Sequence, residues 1–146
     1  MNNKLLHNFS GNAGDAATAA NGVFSITAPS DGVLQIGSCY AVVESAAIGG
    51  APIIDIAIER NDATGALVER AVVGQCAIPD TSGIGSAEHF IASNGVSIDG
   101  NTKDLERNPF IKFYKGDVIA FDVSAAGSAG EFRPNLVWEL STESKR

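Results

Sequence analysis

Few residues of this 146-residue chain have the type and spacing that catalysis requires. The two histidines, His7 and His89, lie far apart in the sequence, and the apolar alternation around His89 is typical of a hydrogen-bonded strand residue. A nucleophilic serine needs a neighbouring base and is often marked by the pattern Gly-x-Ser-x-Gly. The string GIGSA at residues 83–87 misses that spacing. We therefore predict that the chain is not an enzyme and has no catalytic residues.

Acidic residues offer the next candidate chemistry, because two carboxyl groups can hydrolyse a glycoside. Asp55 with Glu59, and Asp117 with Asp122, are the pairs that the sequence brings close. Along a strand, however, acids at alternate positions usually mark the face that water covers. We interpret both pairs as solvated surface residues and predict no cofactor.

Metal ligands are also sparse. Asp99, Asn101 and Asp104 place three oxygen donors close together, but Lys103 stands where a calcium loop would need a ligand. A surface turn is the favoured interpretation, with a calcium site as the alternative. We predict no metal site in the chain.

The two cysteines, Cys39 and Cys76, lie within apolar strand patterns. Neither has a second Cys or a His at ligand spacing. Two buried thiols that behave as small hydrophobic side chains are the favoured interpretation. A disulfide between neighbouring strands stays open, because spacing alone does not exclude it.

The elements that would position these residues are short strands. Ile54, Ile56 and Ile58 alternate with more polar neighbours, and turn signals at residues 61–65 and 115–117 predict hairpins. About eight such strands follow one another, with turns every 8–12 residues, which is the pattern of an antiparallel sandwich or barrel. We predict an all-β fold, an antiparallel β-sandwich of about eight strands arranged as a jelly roll, in which residues 102–107 are the one candidate helical turn.

The predicted sandwich domain covers residues 23–141. Residues 1–22 are rich in Gly, Ala and Asn, and their small side chains bury little area. We interpret them as a flexible or extended N-terminal arm. Residues 142–146 form a short polar tail.

Composition and charge exclude several classes of function. The formal charge is -7, whereas phosphate binding needs a basic surface, so we expect no nucleic-acid partner. No apolar run approaches the length that spans a membrane, and near the N-terminus only Leu5-Leu6 resembles an apolar run. We therefore expect synthesis in a cytoplasm and no membrane partner. Only 18% of residues are charged, and charge is depleted where protein surfaces meet.

A resemblance to a known family rests on the C-terminal third. FIKFYKGDVIAFDV at residues 110–123 and EFRPNLVWEL at residues 131–140 look like the closing strands of a viral-type jelly roll. The Lys-Gly-Asp turn at residues 115–117 also recurs in trimeric C1q/TNF-like sandwiches. With its size, small-residue loops and N-terminal arm, the whole chain resembles a capsid decoration (cement) protein of tailed bacteriophages.

This resemblance implies a structural virion protein without catalytic residues. Such proteins bind the outer surface of the phage head, contact the major capsid protein and bridge neighbouring capsid subunits, many of them as homotrimers. We predict that a partner is contacted through arm residues and exposed loop residues, namely Leu5, Leu6, Phe9, Pro52, Ile84 and Phe110.

Two other functions remain open on the sequence. A receptor- or glycan-binding module of a phage fibre would use exposed aromatic residues, for which Tyr40, Tyr114 and Trp138 are the candidates. A small cupin-type enzyme would need several His and Glu ligands. With His7 and His89 alone, the chain cannot supply that usual set.

Overall fold

The computed structural model describes residues 4–44, 46–92 and 110–141. Within these ranges the chain forms strands and a single 3₁₀ turn, Ile36–Ser38. The strands are β1 (Lys4–Ser10), β2 (Gly14–Asp15), β3 (Ala20–Thr27), β4 (Gly32–Gln35), β5 (Tyr40–Val43), β6 (Ile53–Asn61), β7 (Leu67–Ala77), β8 (Ala87–His89), β9 (Ile91–Ala92), β10 (Phe110–Phe113), β11 (Val118–Ala125) and β12 (Glu131–Ser141). None of the helical structure found in the described residues is long and apolar enough to span a membrane.

The strands form two antiparallel sheets. One has the order β10-β4-β12-β5-β8, with β1 and β2 also paired to β12, and the other has the order β3-β11-β6-β7-β9. The pairing is nested along the chain: β1 pairs with β12, β3 with β11, β4 with β10, and β6 with β7. A long hairpin rolled up in this way is a jelly roll. The predicted all-β sandwich is confirmed.

Strand β12 is the axis of the first sheet, and Pro134 shapes one of its edges. On that edge β1 pairs with residues 135–141 and β2 with residues 131–132. Pro134 has no N–H to donate, so the ladder is interrupted there and Gly11 N instead donates to the carbonyl oxygen of Pro134 at 2.8 Å. The proline therefore divides one edge ribbon into β1 and β2.

The opposite edge of β12 is divided by the 3₁₀ turn. Asn135 pairs with Tyr40 and Trp138 with Leu34, so the ribbon formed by β4 and β5 carries extra residues beside the middle of β12. The Cys39 thiol fills the resulting gap: its Sγ accepts a hydrogen bond from Val137 N at 3.4 Å and lies 3.2 Å from the carbonyl oxygen of Gln35. A buried backbone donor is thereby satisfied by a side chain.

The core lies between the sheets and follows the period of two. Ile54, Ile56 and Ile58 are fully buried and face Phe121 and its inward neighbours on β11. Aromatic rings join the two layers, since the ring of Phe9 on β1 lies 5.9 Å from that of Phe24 on β3, which in turn lies 6.1 Å from that of Phe121 on β11. This packing fixes the scaffold on which the surface groups are placed.

The N-terminal segment belongs in part to the sandwich. Residues 4–10 lie as β1 along β12, and β3 begins at Ala20, so the element boundaries do not follow the predicted division at residue 22. The reason is that β12 offers a free edge whose backbone groups β1 satisfies. The predicted tail at 142–146, the helical turn at 102–107 and the calcium alternative at 99–104 lie outside the described residues.

Candidate functional site

The outer face of the second sheet holds an ion network rather than solvated acids. Asp122 on β11 is 2% exposed, and one of its carboxylate oxygens accepts a hydrogen bond from Gly22 N at 2.7 Å. Its other oxygen pairs with Arg70 from β7. Arg70 Nε also lies 2.8 Å from Glu59 Oε2 on β6. The arginine thus crosses the sheet and links strands that are not neighbours.

A second buried acid organises the turn between β10 and β11. The Asp117 carboxylate is held in a fork by Arg60, whose Nε and Nη2 lie 3.0 and 2.8 Å from its two oxygens. Tyr114 N donates to the same carboxylate at 2.9 Å, and the Arg60 guanidinium lies 5.1 Å from the Tyr114 ring centroid. This is a charge-assisted, bidentate arrangement of the strong kind.

The expectation that these acids are solvated is therefore wrong for three of the four. Asp55, Asp117 and Asp122 are all buried, and Asp55 accepts a hydrogen bond from Gln75 Nε2 at 2.8 Å. Only Glu59 is partly exposed. The alternation pattern identified their face correctly but could not show that Arg60 and Arg70 fold over it. Their partners make these carboxylates structural groups.

The other candidate residues for chemistry are dispersed. His89 is exposed on β8 and contacts Tyr40, with ring centroids 5.4 Å apart. Within residues 4–44, 46–92 and 110–141, no three His, Cys, Asp or Glu side chains come together as a metal site. Cys39 and Cys76 are free and buried, in agreement with the favoured interpretation. Burial raises the pKa of the Cys39 thiol to about 11 and that of Cys76 to about 12.

The small residues of two loops serve internal packing. At one end of the sandwich the loop around Gly49 and Gly50 crosses the loop of residues 126–130, joined by hydrogen bonds from Gly49 N to the Ala129 carbonyl oxygen at 2.9 Å and from Ser128 N to that of Gly49 at 2.8 Å. A Cβ on Gly127 would overlap the Gly49 carbonyl oxygen and lie 3.0 Å from Pro52 Cδ. These glycines are required by the close approach of two backbones, a cause that composition alone did not reveal.

The predicted contact residues lie in different environments. Ile84 is 66% exposed, and Phe9 is 37% exposed with its ring 5.9 Å from that of Phe24 and 6.2 Å from that of Trp138. Pro52 is buried beside Gly127, so its side chain is not on the surface. Leu5 and Leu6 pair through β1 with Leu140 and Glu139, and Phe110 begins β10 opposite Gln35.

Sequence reasoning missed three exposed apolar residues on the β7–β9 side of the second sheet. Leu67 and Val68 at the start of β7 are 55% and 65% exposed, and Ile91 on β9 is 75% exposed. Among the aromatic candidates, Tyr114 is exposed and Tyr40 half-buried, whereas Trp138 is 3% exposed and cannot line a surface groove. A strand pattern shows which face a residue is on but not whether a neighbouring element covers it.

The loop that carries Ile84 is fixed at both ends. Ser86 N donates to the Gly83 carbonyl oxygen at 3.1 Å, and Gly85 has φ +89°, which is the geometry of a type II turn with Ile84 at its second position. On one side Gly85 N donates to the Val43 carbonyl oxygen, and on the other Thr81 N donates to that of Ile48. The sequence Gly-Ile-Gly-Ser could have predicted this turn, because glycine is expected at the third position of a type II turn.

Comparison with known proteins finds no matching family model and no matching curated protein. Among solved structures, the VP2 subviral particle of infectious bursal disease virus is similar over 93% of this chain at 11% identity and a TM-score of 0.27. The Gx strain of the same virus is similar over 94% of the chain at 13% identity and a TM-score of 0.27. These structural neighbours are viral capsid proteins, and the chain spans about two fifths of their length, 41% and 42%.

Proposed function

We propose that this chain is a structural virion protein that decorates a phage capsid. It binds the outer surface of the head as a homotrimer, contacts the major capsid protein and bridges neighbouring capsid subunits. Binding rather than catalysis is the activity. The protein is made in the host cytoplasm and ends on the particle.

The observation that carries the proposal is the contrast between paired charge and exposed apolar groups. Arg60 and Arg70 are turned onto buried acids of the same chain. Apolar side chains at loop tips and strand ends instead face solvent, with Ile84 and Ile91 at 66% and 75% exposure. Apolar groups displayed on a rigid scaffold support a role in association, because their burial by a partner is favourable.

The physical mechanism follows from mass action. A protein that binds the assembled lattice but not free subunits lowers the free energy of the assembled state by an amount that grows with its free concentration. Two or three contacts on one rigid trimer add avidity without a new interface. The sandwich therefore needs a surface complementary to the capsid and a few contact residues, and its internal ion pairs keep the shape of that surface constant.

The direct test is the composition of purified virions. We expect peptides of this chain in density-gradient-purified particles at a fixed ratio to the major capsid protein, and accessibility to antibody on intact heads. The isolated protein should sediment at three times the monomer mass. Absence of the chain from purified particles, or a monomer at all concentrations, would contradict the proposal.

Glycan or receptor binding by a fibre module is the second candidate, and one observation favours it. The exposed Tyr114 ring lies beside the Arg60 guanidinium, which is fixed by Asp117. A flat ring beside a fixed donor is a suitable platform for a sugar. Specific binding on a glycan array that Tyr114→Ala abolishes, together with no association with heads, would establish this function in place of decoration.

A further inference from the structure

We propose that the turn at residues 83–86 is a preorganised anchor that inserts Ile84 into an apolar pocket of the capsid shell. The inference rests on the proposed decoration function and deepens it by naming the contact. Ile84 is the one large apolar residue of a turn whose other members are Gly83, Gly85 and Ser86. It is 66% exposed, whereas most branched aliphatic side chains of the described strands are buried in the core.

The turn is held in position by its own backbone. The bond from Ser86 N to the Gly83 carbonyl oxygen closes it, and Gly85 supplies the positive φ of +89° that an L-residue rarely adopts. Val43 on β5 makes two hydrogen bonds to the C-terminal part of the turn: Val43 N donates to the Ser86 carbonyl oxygen and Gly85 N donates to that of Val43, both at 2.8 Å. The turn is therefore hydrogen-bonded directly to a strand of the sandwich.

The segment that precedes the turn, residues 80–82, is also held by hydrogen bonds. Ile48 N donates to the Ser82 carbonyl oxygen at 3.0 Å, and Thr81 N donates to that of Ile48 at 3.1 Å. The Asp80 carboxylate accepts a hydrogen bond from Gly50 N at 2.8 Å. These bonds hold Thr81 at φ 64°, an outlier for a β-branched residue. A strained residue persists only where its surroundings over-determine it, and such positions cluster at binding sites.

The chemistry of the tip defines the pocket that would receive it. A Cβ on Gly83 or Gly85 would meet no atom of the chain within 4 Å, so the backbone on both sides of Ile84 is open to close approach. A pocket for one branched aliphatic side chain, with polar groups at its rim for the turn amides and carbonyls, fits this shape. The charged residues nearest along the chain, Asp80 and Glu88, are acidic, so the rim is neutral or basic.

The acidic residues on either side of the turn also argue against a lipid surface as the partner. An anionic membrane attracts basic residues, and a single aliphatic side chain gives only weak insertion. Preorganisation, in contrast, favours a protein pocket, because a turn already in its bound shape loses little conformational entropy on binding. Few residues dominate such interfaces, and they are buried at the centre of the contact.

The test measures binding to particles of the phage that encodes the chain, stripped of this protein. We expect Ile84→Asp to weaken binding about 30-fold or more, the size of a dominant contact, and Gly85→Ala to weaken it because it strains the turn while keeping Ile84. Leu67→Asp, an exposed change at the opposite end of the sandwich, should bind like the wild type. Gly83→Ala, which meets no atom of the chain and needs no positive φ, is the folding control and should unfold at the wild-type urea midpoint.

The outcomes separate the two proposals. Wild-type binding that Ile84→Asp reduces no more than Leu67→Asp does would overturn the anchor and leave decoration standing. If the wild type failed to bind, both the decoration function and the capsid pocket proposed for Ile84 would be overturned. If Ile84→Asp instead dissociated the protein into monomers in sedimentation while particle binding persisted, the pocket would belong to a second copy and the proposal would be wrong. Cooperative unfolding in urea checks that each variant folds, and only Gly85→Ala should show a lowered midpoint, because it strains the turn.

Discussion

Arg70 links three strands of the second sheet through its ion pairs. It reaches from β7 across the sheet to Asp122 on β11 and contacts Glu59 on the way. Asp122 in turn accepts a hydrogen bond from Gly22 N, where the pairing of β3 with β11 is irregular. One buried carboxylate therefore fixes the bulge in an edge strand and neutralises a cation.

We expect Asp122→Asn to destabilise the protein by about 1–3 kcal/mol, because Arg70 loses its charged, buried partner and keeps only the pair with the partly exposed Glu59. Chemical denaturation at pH 7 measures this. Glu44→Gln is the matched control: its pair with Arg133 spans 3.0 Å, but the side chains are 34% and 37% exposed. Solvent screens that pair, so a much smaller loss than that of Asp122→Asn is expected. Equal losses in the two variants would contradict the role given to Asp122.

Cys39 is the residue that closes the gap between β12 and the divided ribbon. Cys39→Ala removes the acceptor of Val137 N, and a buried backbone donor left unsatisfied costs about 1–3 kcal/mol. Cys76→Ala is the matched control, since Cys76 lies in a regular part of the β6–β7 ladder opposite Ile54. Thermal unfolding of both variants checks the expectation, which fails if Cys76→Ala is the more destabilising change.

The cysteines also predict an alkaline pH dependence. Burial raises the pKa of Cys76 from 9.0 to about 12, so the native state keeps its proton where the unfolded chain loses it. The stabilising contribution is complete below about pH 9 and falls as the pH rises towards 12. The difference in free energy of unfolding between the wild type and Cys76→Ala should therefore shrink over this interval. A difference that is constant from pH 8 to pH 11 would contradict the burial of the thiol.

At the scale of elements, the crossing of two loops accounts for part of the glycine content. Gly127→Ala places a methyl group against the Gly49 carbonyl oxygen and Pro52, and overpacking of this kind costs about 1–3 kcal/mol. Gly37→Ala is the control, because a Cβ there meets no atom within 4 Å and the backbone needs no positive φ. Urea denaturation should separate the two variants, and equal midpoints would show that the loops do not cross as described.

The strands were predictable because their signals are local. Alternation at Ile54, Ile56 and Ile58 and the turn at residues 115–117 require only neighbours in sequence, and both were placed correctly. The division of the edge ribbons was not predicted, since it depends on Pro134 and Cys39 acting on strands distant in sequence. The same reason hid the burial of Asp117 and Asp122, whose arginine partners come from other strands.

At the scale of the molecule, the many small residues, which contribute to the low charge, have two separate causes. Some are required where two loops cross, as at Gly49 and Gly127, and these give no information about a partner. Others surround exposed apolar groups, as Gly83 and Gly85 surround Ile84, and these support association. Ile84 could be chosen from sequence as a loop residue, but its fixed presentation depends on hydrogen bonds to Val43 and Ile48 from elsewhere in the chain.

In the proposed function, the protein stabilises a capsid by binding its assembled surface. The most direct measurement is the rupture temperature of particles stripped of this protein, titrated with the purified chain and followed by release of packaged DNA. We expect a saturable rise in rupture temperature, with saturation at a fixed number of copies per particle. A rupture temperature that stays constant up to a large excess of folded protein would contradict it.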